Sequence, residues 1–365
     1  MKRTLPQLPA LDRMLLAELT RLFLATLGAV VLLYLVIDFA DRGTMFHGDG
    51  WLVAVAELYA DKAAVVALQL APGALVIASA LLIAQLDRRG ELTALLSLGV
   101  HPLRLCAPLA VFALLLGAGM IVLEEKVVVF ADARAEEITA VQFHRWGDWG
   151  QWHGKQRWVR GKEGRFFLLG ELRERGFEPA TIFEVAEPFH LARRIDARRL
   201  EQTTMGRWRL LGAVERRYGA ESIDETRTDE LLLELPDQVD ELALRSGRPR
   251  QLPWGDLLQQ ANHRAALGQP DIEYRTAVIE RAAQPLVPLP AALAAVGLTL
   301  RRRRGKARPP PLASALASSL VLVLALWALA VIAHAAAIGG TLAPTPAGLM
   351  PLAASALLAA LLLRE

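Results

Sequence analysis

Two long apolar runs without a charged residue constrain the fold of this chain more than any other feature. They cover residues 63–84 and 105–123. A helix rises about 1.5 Å per residue, so either run can cross about 30 Å of hydrocarbon. Since a bilayer core admits only helices and closed barrels, the runs predict helical membrane spans. A hydrophobic content of 53% over 365 residues is typical of such a protein.

The polar stretch between these runs, residues 85–106, must turn at a membrane surface. Its arginines at 88, 89 and 104 place it on the cytoplasmic side by the lysine and arginine bias of short loops. A short helix is predicted at about residues 88–99, ended by Gly99 and Pro102. Its leucines at 92, 95 and 96 share one side and need a cover, which is either the lipid surface or a docked soluble protein.

Four more apolar runs complete six spans, three before and three after a polar region. They lie at about residues 15–37, 282–300, 313–332 and 347–363. Pro285, Pro288 and Pro290 predict an irregular first half of span four, either as a proline-tolerant helix start or as a hinge. The four arginines at 301–304 mark the cytoplasmic end of that span, and both termini are expected in the cytoplasm.

The region from about residue 127 to residue 270 is charged and contains no spanning run. Short apolar segments alternate with Gly, Pro and Asp, which predicts strands, and the first two form a hairpin around Lys162-Glu163-Gly164. Such regular short strands are typical of an all-β sandwich or jellyroll-like domain. The chain thus divides into residues 1–126, 127–270 and 271–365. The β domain is expected outside the cytoplasm because three spans precede it.

Motifs for catalysis and metal binding are missing from the sequence. There is no phosphate-binding loop, no H-E-x-x-H and no G-x-S-x-G. The one cysteine, Cys106, excludes disulfides and multi-cysteine metal sites. His144, His153 and His190 lack a ligand-like spacing, whereas His334 in span five is either functional or snorkels to the interface. No enzyme, metal site or bound cofactor is predicted, and basic residues beside spans indicate orientation rather than nucleic-acid binding.

Charged residues also cluster near the outer ends of the first three spans. Either they cap the helices at the membrane interface, or they line a polar cavity that touches phosphates or sugars. The residues considered for this cavity are Asp38, Asp41, Arg42, Lys62, Glu124, Glu125, Lys126 and Arg134. Of these, Asp38, Asp41, Arg42, Lys62 and Arg134 are selected as its candidate residues.

Several motifs follow one another in a specific order. The chain opens with Leu-Asp-Arg at 11–13, ends span one with Asp-Phe-Ala-Asp at 38–41, and carries Arg-Gly-Glu-Leu-Thr-Ala-Leu at 89–95 in its turn. Tyr274 precedes Pro285-Leu286, and Gly-Gly-Thr-Leu-Ala-Pro stands at 339–344 before span six. With the 3+3 layout, these motifs resemble the LptF/LptG family of permease subunits of the lipopolysaccharide exporter, over essentially the whole chain. Trp158-Val159-Arg160 and the run at 165–169 look closer to LptG than to LptF.

This resemblance implies an inner-membrane permease subunit in an ABC transporter. A paralogous LptF/LptG-like subunit would complete a lateral cavity, and a dimer of the cytoplasmic ATPase LptB would bind ATP and Mg²⁺ and drive transport. The periplasmic β-jellyroll domains would pass lipopolysaccharide to LptC- and LptA-like proteins. This chain would then bind no cofactor of its own.

The resemblance also implies roles for individual residues. The residues expected to couple the permease to the ATPase are Arg89, Glu91, Leu92, Leu95, Leu96 and Leu98. Acyl chains are expected to pass through the jellyroll near Phe166, Phe167 and Leu169. Related LptG-like chains often carry lysines near the end of span one, whereas here only Arg42 is basic. Lys62 or Arg134 is therefore expected to take over contact with lipid phosphates.

Two other classes of protein remain open on the sequence alone. One is a membrane-anchored interaction or sensor protein whose outer β domain binds a ligand. The other is a mechanotransmission ABC subunit, which couples ATP to an outer domain without moving substrate through the membrane. An adjacent gene for a paralogue of the same topology would favour the exporter.

Overall fold

The computed structural model describes residues 10–143, 156–173, 176–188, 190–203, 207–219, 222–243, 248–303 and 310–364. The chain divides into two compact units. The membrane unit comprises Met1–Ile138 with Ile272–Glu365, and the β unit comprises Thr139–Asp271. His144, His153 and Arg304, which entered the sequence analysis, lie outside the described residues.

Helices account for most of the membrane unit, and a few short ones belong to the β unit. In chain order the helices are α1 Ala10–Arg42, α2 Trp51–Arg88, α3 Glu91–Ser97, α4 Pro102–Leu123, α5 Val129–Val141, α6 Val239–Ala243, α7 Trp254–Ala266, α8 Ile272–Ala283, α9 Pro288–Arg303, α10 Leu312–Ile338 and α11 Pro344–Leu363. A π-helix, Glu124–Val128, joins α4 to α5, and a 3-10 turn, Gln284–Leu286, stands between α8 and α9.

The described helices account for six membrane spans. Five are long and apolar enough to cross a bilayer: α1, α2, the continuous α4–α5, α10 and α11. The sixth is the pair α8 and α9, which is bent by 49°. The bend lies at Pro285, whose ring removes a backbone donor. The six-span membrane fold is therefore confirmed, and the irregular segment expected in span four is present.

Two helices extend beyond the apolar runs that predicted them. α2 begins at Trp51, so the segment at residues 51–60, which was expected as a weakly helical part of a loop up to residue 62, is continuous with span two. α4 continues through the π-helix to Val141. Hydropathy marks only the part of a helix that lies in hydrocarbon, so charged extensions escape it. Here Arg134 on α5 joins the two extensions by contacting Asp61 on α2 at 3.7 Å. The boundary between the units consequently lies at Ile138, later than the predicted residue 126.

Small residues allow the helices of the membrane unit to approach closely. A Cβ added to Gly297 of α9 would lie 2.7 Å from the Cβ of Leu362 on α11. One added to Gly117 of α4 would lie 2.2 Å from the carbonyl oxygen of Pro285. Such contacts between small residues drive helix packing in lipid, where no hydrophobic force acts between helices. They fix which helices are neighbours.

The β unit contains one antiparallel sheet. Its strands are β1 Arg157–Arg160, β2 Arg165–Arg173, β3 Gly176–Ala186, β4 His190–Ala197, β5 Arg199–Gln202, β6 Trp208–Tyr218 and β7 Ile223–Leu233. β4 and β5 together act as one strand between β3 and β6, with a break at Arg198. The inserted antiparallel β domain is confirmed. Its described strands pair in chain order within one sheet, not two, because turn signals alone do not reveal which strands pair.

One face of this sheet carries the core of the β unit. Rows of apolar side chains cross the strands in register, for example Phe167 opposite Ile182 and Ile182 opposite Ile195. The larger fully buried side chains of this core are Phe167, Leu169, Phe177, Ile182, Ile195, Leu200, Trp208 and Leu210. The predicted Lys-Glu-Gly hairpin is also present, and Gly164 adopts a φ of 71° that favours glycine.

Candidate functional site

The turn between α2 and α4, residues 89–101, forms an elbow around α3. Gly90 precedes the helix with a φ of 77°, and Gly99 follows it with a φ of 81°. The amides of Gly99 and Val100 donate to the carbonyls of Leu96 and Leu95, at 3.1 and 3.0 Å, which closes the last turn. Glycine suits both ends because left-handed backbone is strained for other residues. The elbow therefore presents a short, well-terminated helix.

Some leucines of the elbow are buried in the membrane unit, and others are exposed on its surface. Leu92 is fully buried, and Leu95 and Leu96 pack half-buried against the same core. Leu98, in contrast, is 80% exposed, and Leu103 at the start of α4 is 49% exposed. The chain itself thus covers most of the predicted leucine face. The leucines that stay exposed in this region are Leu98 and Leu103, and Leu103 was not among the predicted coupling residues.

A polar clamp connects α3 to the helices on either side of it. Arg303 at the end of α9 reaches the carboxylate of Asp87 on α2 at 2.7 Å and donates to the Thr93 hydroxyl of α3, also at 2.7 Å. The Asp87 side chain is 6% exposed, and Arg303 is its ion-pair partner. The clamp joins three helices at one point.

Two further ion pairs attach α1 to the elbow and to the start of α4. Arg104 donates to the buried Asp12 at 2.7 Å, and Arg89 contacts Glu18 at 3.3 Å. Of these residues, the sequence analysis had selected only Arg89 for a coupling role. The ion pairs themselves were not predicted, because nothing in the sequence pairs these arginines with acids on distant helices.

Three of the predicted cavity residues meet at the other end of α1. Asp38 accepts from Lys62 at 2.5 Å and contacts Arg42 at 3.0 Å. The Tyr59 hydroxyl donates to the same carboxylate at 2.9 Å. The rings of Phe39 and Phe46 lie 5.8 and 6.0 Å from the Tyr59 ring. We call this group, Asp38, Arg42, Tyr59 and Lys62, the Asp38 cluster. Its aromatic part was not predicted.

The other two predicted cavity residues lie apart from the Asp38 cluster. Arg134 contacts Glu57 at 3.0 Å and Asp61 at 3.7 Å, so it bridges α5 and α2. Asp41 is exposed on α1. Both cations of the Asp38 cluster already face a carboxylate. An anion that binds there must compete with Asp38 for Arg42 and Lys62.

Two irregular helix segments face each other inside the membrane unit. Arg281 on α8 forms a 3.0 Å ion pair with Glu124, the first residue of the π-helix. The Arg281 side chain is 9% exposed. Gly117 touches Pro285 beside this pair. His334, which the sequence left either functional or snorkelling, contacts Glu280 of α8 at 2.8 Å.

The predicted lipid-path residues of the β unit do not share a face. Phe167 and Leu169 are fully buried in the core. Phe166 is on the opposite face, where the Arg160 guanidinium lies 5.9 Å from its ring. Within the described part of the chain, no group of three or more His, Cys, Asp or Glu side chains is arranged to hold a metal ion.

Comparison with known families gives a match that covers almost the whole chain. A search of curated proteins found no match. The family model described as "Lipopolysaccharide export system permease LptF/LptG" matches residues 13–365. Proteins of this family are permease subunits of an ABC transporter and are not themselves ATPases. The apolar helices of this chain agree with the multi-pass inner-membrane protein that the family describes. This chain, with six spans, a clamped elbow and an inserted β unit, therefore belongs to the LptF/LptG family of lipopolysaccharide export permeases.

Proposed function

We propose that this chain extracts lipopolysaccharide from the inner membrane and passes it to a periplasmic protein bridge. A separate cytoplasmic ATPase dimer of the LptB type drives the process and holds the ATP and Mg²⁺. The elbow and both termini lie in the cytoplasm, and the β unit lies in the periplasm. The remaining partners are a paralogous LptF/LptG-like subunit and LptC- and LptA-like proteins. The motifs at 158–160 and 165–169 favour the LptG type.

The observation that carries this proposal is the construction of the elbow. Leu92 anchors α3 inside the membrane unit, while Leu98 on the same short segment is exposed. The clamp of Arg303 on Asp87 and Thr93 ties α3 to α2 and α9. The ion pairs of Arg89 and Arg104, which lie on either side of α3, tie the ends of the adjoining segments to α1. A displacement imposed on α3 by a soluble motor would therefore reach α9 through Thr93 and reach α1 through the residues that flank α3. Rigid elements that shift against each other are a common way to transmit such a displacement.

The Asp38 cluster is the proposed contact for the anionic headgroup. Arg42 and Lys62 are the cations that a lipid phosphate would engage, in place of the lysines found in related chains. Phosphate is a strong acceptor for both side chains. Because Asp38 competes for them, headgroup binding and the connection between α1 and α2 are linked. Acyl chains would then follow the apolar core of the β unit, at Phe167 and Leu169.

The exposed leucine of the elbow provides the test. We expect Leu98→Asp to reduce co-purification of the ATPase about 30-fold, because a central apolar contact is typically worth 2 kcal/mol or more. Leu232→Asp is the matched control, since Leu232 is a similarly exposed leucine on β7. ATPase binding is expected to be unchanged in that control. Normal ATPase association and normal lipid-stimulated hydrolysis in Leu98→Asp would refute docking at the elbow.

A further inference from the structure

A short segment after β7 packs on the apolar face of the sheet. We call residues 235–243, which include α6, the strap. Leu242 of the strap is 1% exposed and Leu235 is 9% exposed, and both belong to the buried core of the β unit. Val239 and Ala243 pack against the same core. The strap thus occupies apolar surface that the strands alone leave uncovered.

Polar contacts from several strands fasten the strap. The indole nitrogen of Trp208 donates to the Asp237 carbonyl at 2.8 Å, and the Arg157 guanidinium donates to the Leu242 carbonyl at 2.7 Å. These donors come from β6 and β1. Because the acceptors are backbone carbonyls, these hydrogen bonds do not depend on the side chains of Asp237 and Leu242. The same hydrogen bonds can form again when the strap packs back on the sheet.

The turn between β1 and β2 makes a second, ionic attachment. The Lys162 ammonium donates to both oxygens of Glu241 at 2.8 Å, and the Lys162 amide donates to Asp237 at 2.9 Å. The Lys162 and Glu241 side chains are each about one third exposed. Ion pairs exposed to this extent are screened by solvent and contribute little. The attachment is specific but not strong.

The closed strap also carries an unfavourable feature. Asp237 is 1% exposed, yet its second carboxylate oxygen has no hydrogen-bond partner among the described residues. Burial raises the pKa of Asp237 above its usual range, although the Lys162 amide opposes this shift. A buried, unpartnered carboxylate oxygen is costly, and lifting the strap returns it to water. The buried Asp237 oxygen therefore offsets part of the free energy that the strap gains by packing on the sheet.

We propose that the strap occupies the acyl path of the β unit when no lipid is present, and that an entering acyl chain displaces it. This inference depends on the proposed function in one respect, the choice of a lipid acyl chain as the ligand. Leu235 and Leu242 supply the same apolar contact that a hydrocarbon chain would supply. After displacement, the acyl chain packs against the apolar face of the sheet, and the Asp237 carboxylate is hydrated again.

Locking the strap tests this inference in the full chain. Cys106→Ala removes the native thiol, and Lys162→Cys with Glu241→Cys allows a short bis-methanethiosulfonate to fix the strap. The probe is a palmitate that carries a diazirine, added to the protein in lipid nanodiscs. We expect labelling of the β-unit core near Phe167 and Trp208 to fall at least tenfold when the strap is locked, and to return after reduction. Equal labelling in the locked and reduced states would overturn the inference.

Hydrogen exchange gives a second measurement that needs no ligand. Lys162→Glu is expected to speed exchange of the Val239 and Leu242 amides about tenfold, and the swap with Glu241→Lys is expected to restore it. The matched control is Arg173→Glu, which disturbs ion pairs with Glu171 and Glu178 elsewhere in the β unit. Strap amides that exchange equally in all variants would contradict a displaceable strap.

The two proposals fail in distinguishable ways. If palmitate labelling depends on the lock but the complex moves no lipopolysaccharide, the strap is supported and the export function is refuted. If lipopolysaccharide is transported normally with the strap locked, export is supported and the strap as a barrier is refuted.

Discussion

Glu215 illustrates how single residues set the pH response of the β unit. Its carboxylate accepts from Arg193 at 2.9 Å and from Arg217 at 2.5 Å. Burial alone would raise the pKa of Glu215, but these two hydrogen bonds outweigh it and hold that pKa below its usual range. A carboxylate with a lowered pKa in the folded state stabilises the fold above its unfolded pKa of about 4.3. This stabilisation disappears as the pH falls further and the folded carboxylate takes up a proton.

We therefore expect Glu215→Gln to destabilise the β unit at pH 7 by about 1.5–3 kcal/mol, the range for hydrogen bonds to charged groups. The difference from the unmodified protein should shrink as the pH falls below about 4.3 towards the lowered pKa of the folded carboxylate, because the unfolded chain takes up a proton there before the folded chain does. Amide exchange of β4 and β6 in the full chain, corrected for intrinsic rates, measures both effects. A stability difference that does not change over this pH interval would rule out the ion pairs as its cause.

The sequence identified the charged residues near the membrane but not their partners. It placed Arg89 in the elbow and Asp38, Arg42 and Lys62 at the outer end of the bundle, and the structure brings the last three together. It could not connect Arg303 with Thr93, which are 210 positions apart. Such pairs depend on which helices are neighbours, and helix order is decided by packing of small residues rather than by hydropathy.

At the level of elements, two helix irregularities meet within the membrane unit. The π-helix Glu124–Val128 and the 3-10 turn Gln284–Leu286 are joined by the pair of Arg281 with Glu124 and by the contact of Gly117 with Pro285. The prolines predicted the second irregularity because they remove backbone donors. No residue of Glu-Glu-Lys-Val-Val signals the first. A π-helix is often found at functional sites, and here it places Glu124 beside Arg281.

Gly117→Ala tests the importance of this contact. The added Cβ would lie 2.2 Å from the Pro285 carbonyl oxygen, so α4 and the 3-10 turn must separate. We expect destabilisation of about 1–3 kcal/mol, the usual range for overpacking, together with weaker coupling of ATP hydrolysis to lipid release. Thermal unfolding and a release assay on the purified complex measure both.

Gly119→Ala is the control for this substitution, because a Cβ there meets nothing within 4 Å. It should leave stability unchanged or raise it slightly, since alanine favours helix more than glycine does. Equal effects of the two substitutions would mean that helix propensity, and not the contact with Pro285, determines the outcome.

For the whole molecule, hydropathy predicted the order of spans, β domain and spans. Hydropathy reports burial in lipid, which is why six spans emerged. The charged extension of α4 was not predicted, and that of α2 was predicted only as a weakly helical part of a loop. The antiparallel strands followed from alternation and turn residues. Their arrangement in one sheet did not follow, because it depends on long-range pairing. The strap was missed for the same reason, since a five-residue helix has no periodic signal.

The orientation of the whole chain in the membrane can be tested by labelling single cysteines. On the Cys106→Ala background, Trp158→Cys in the β unit should react in intact cells with a maleimide that does not cross the inner membrane. Leu98→Cys in the elbow should react only after that membrane is made permeable. Both native side chains are well exposed, at 63% and 80%, so access to the reagent is not limited by packing. The reverse pattern of labelling would show that the elbow faces the periplasm and the β unit faces the cytoplasm, which contradicts the proposed orientation.

The way α1 is supported has a mechanical consequence. Near one end it is pinned by Asp12 and Glu18, and near the other by Asp38. Between these pins much of its length is open, with Leu24, Leu32 and Ile37 well exposed. The first half of α1 is packed into the core through Leu15, Leu19 and Phe23, so the second half can swing as an arm when its far end is released. An anion that takes Lys62 away from Asp38 would leave that end held by the weaker Tyr59 hydrogen bond, while Arg89 and Arg104 still hold the other end.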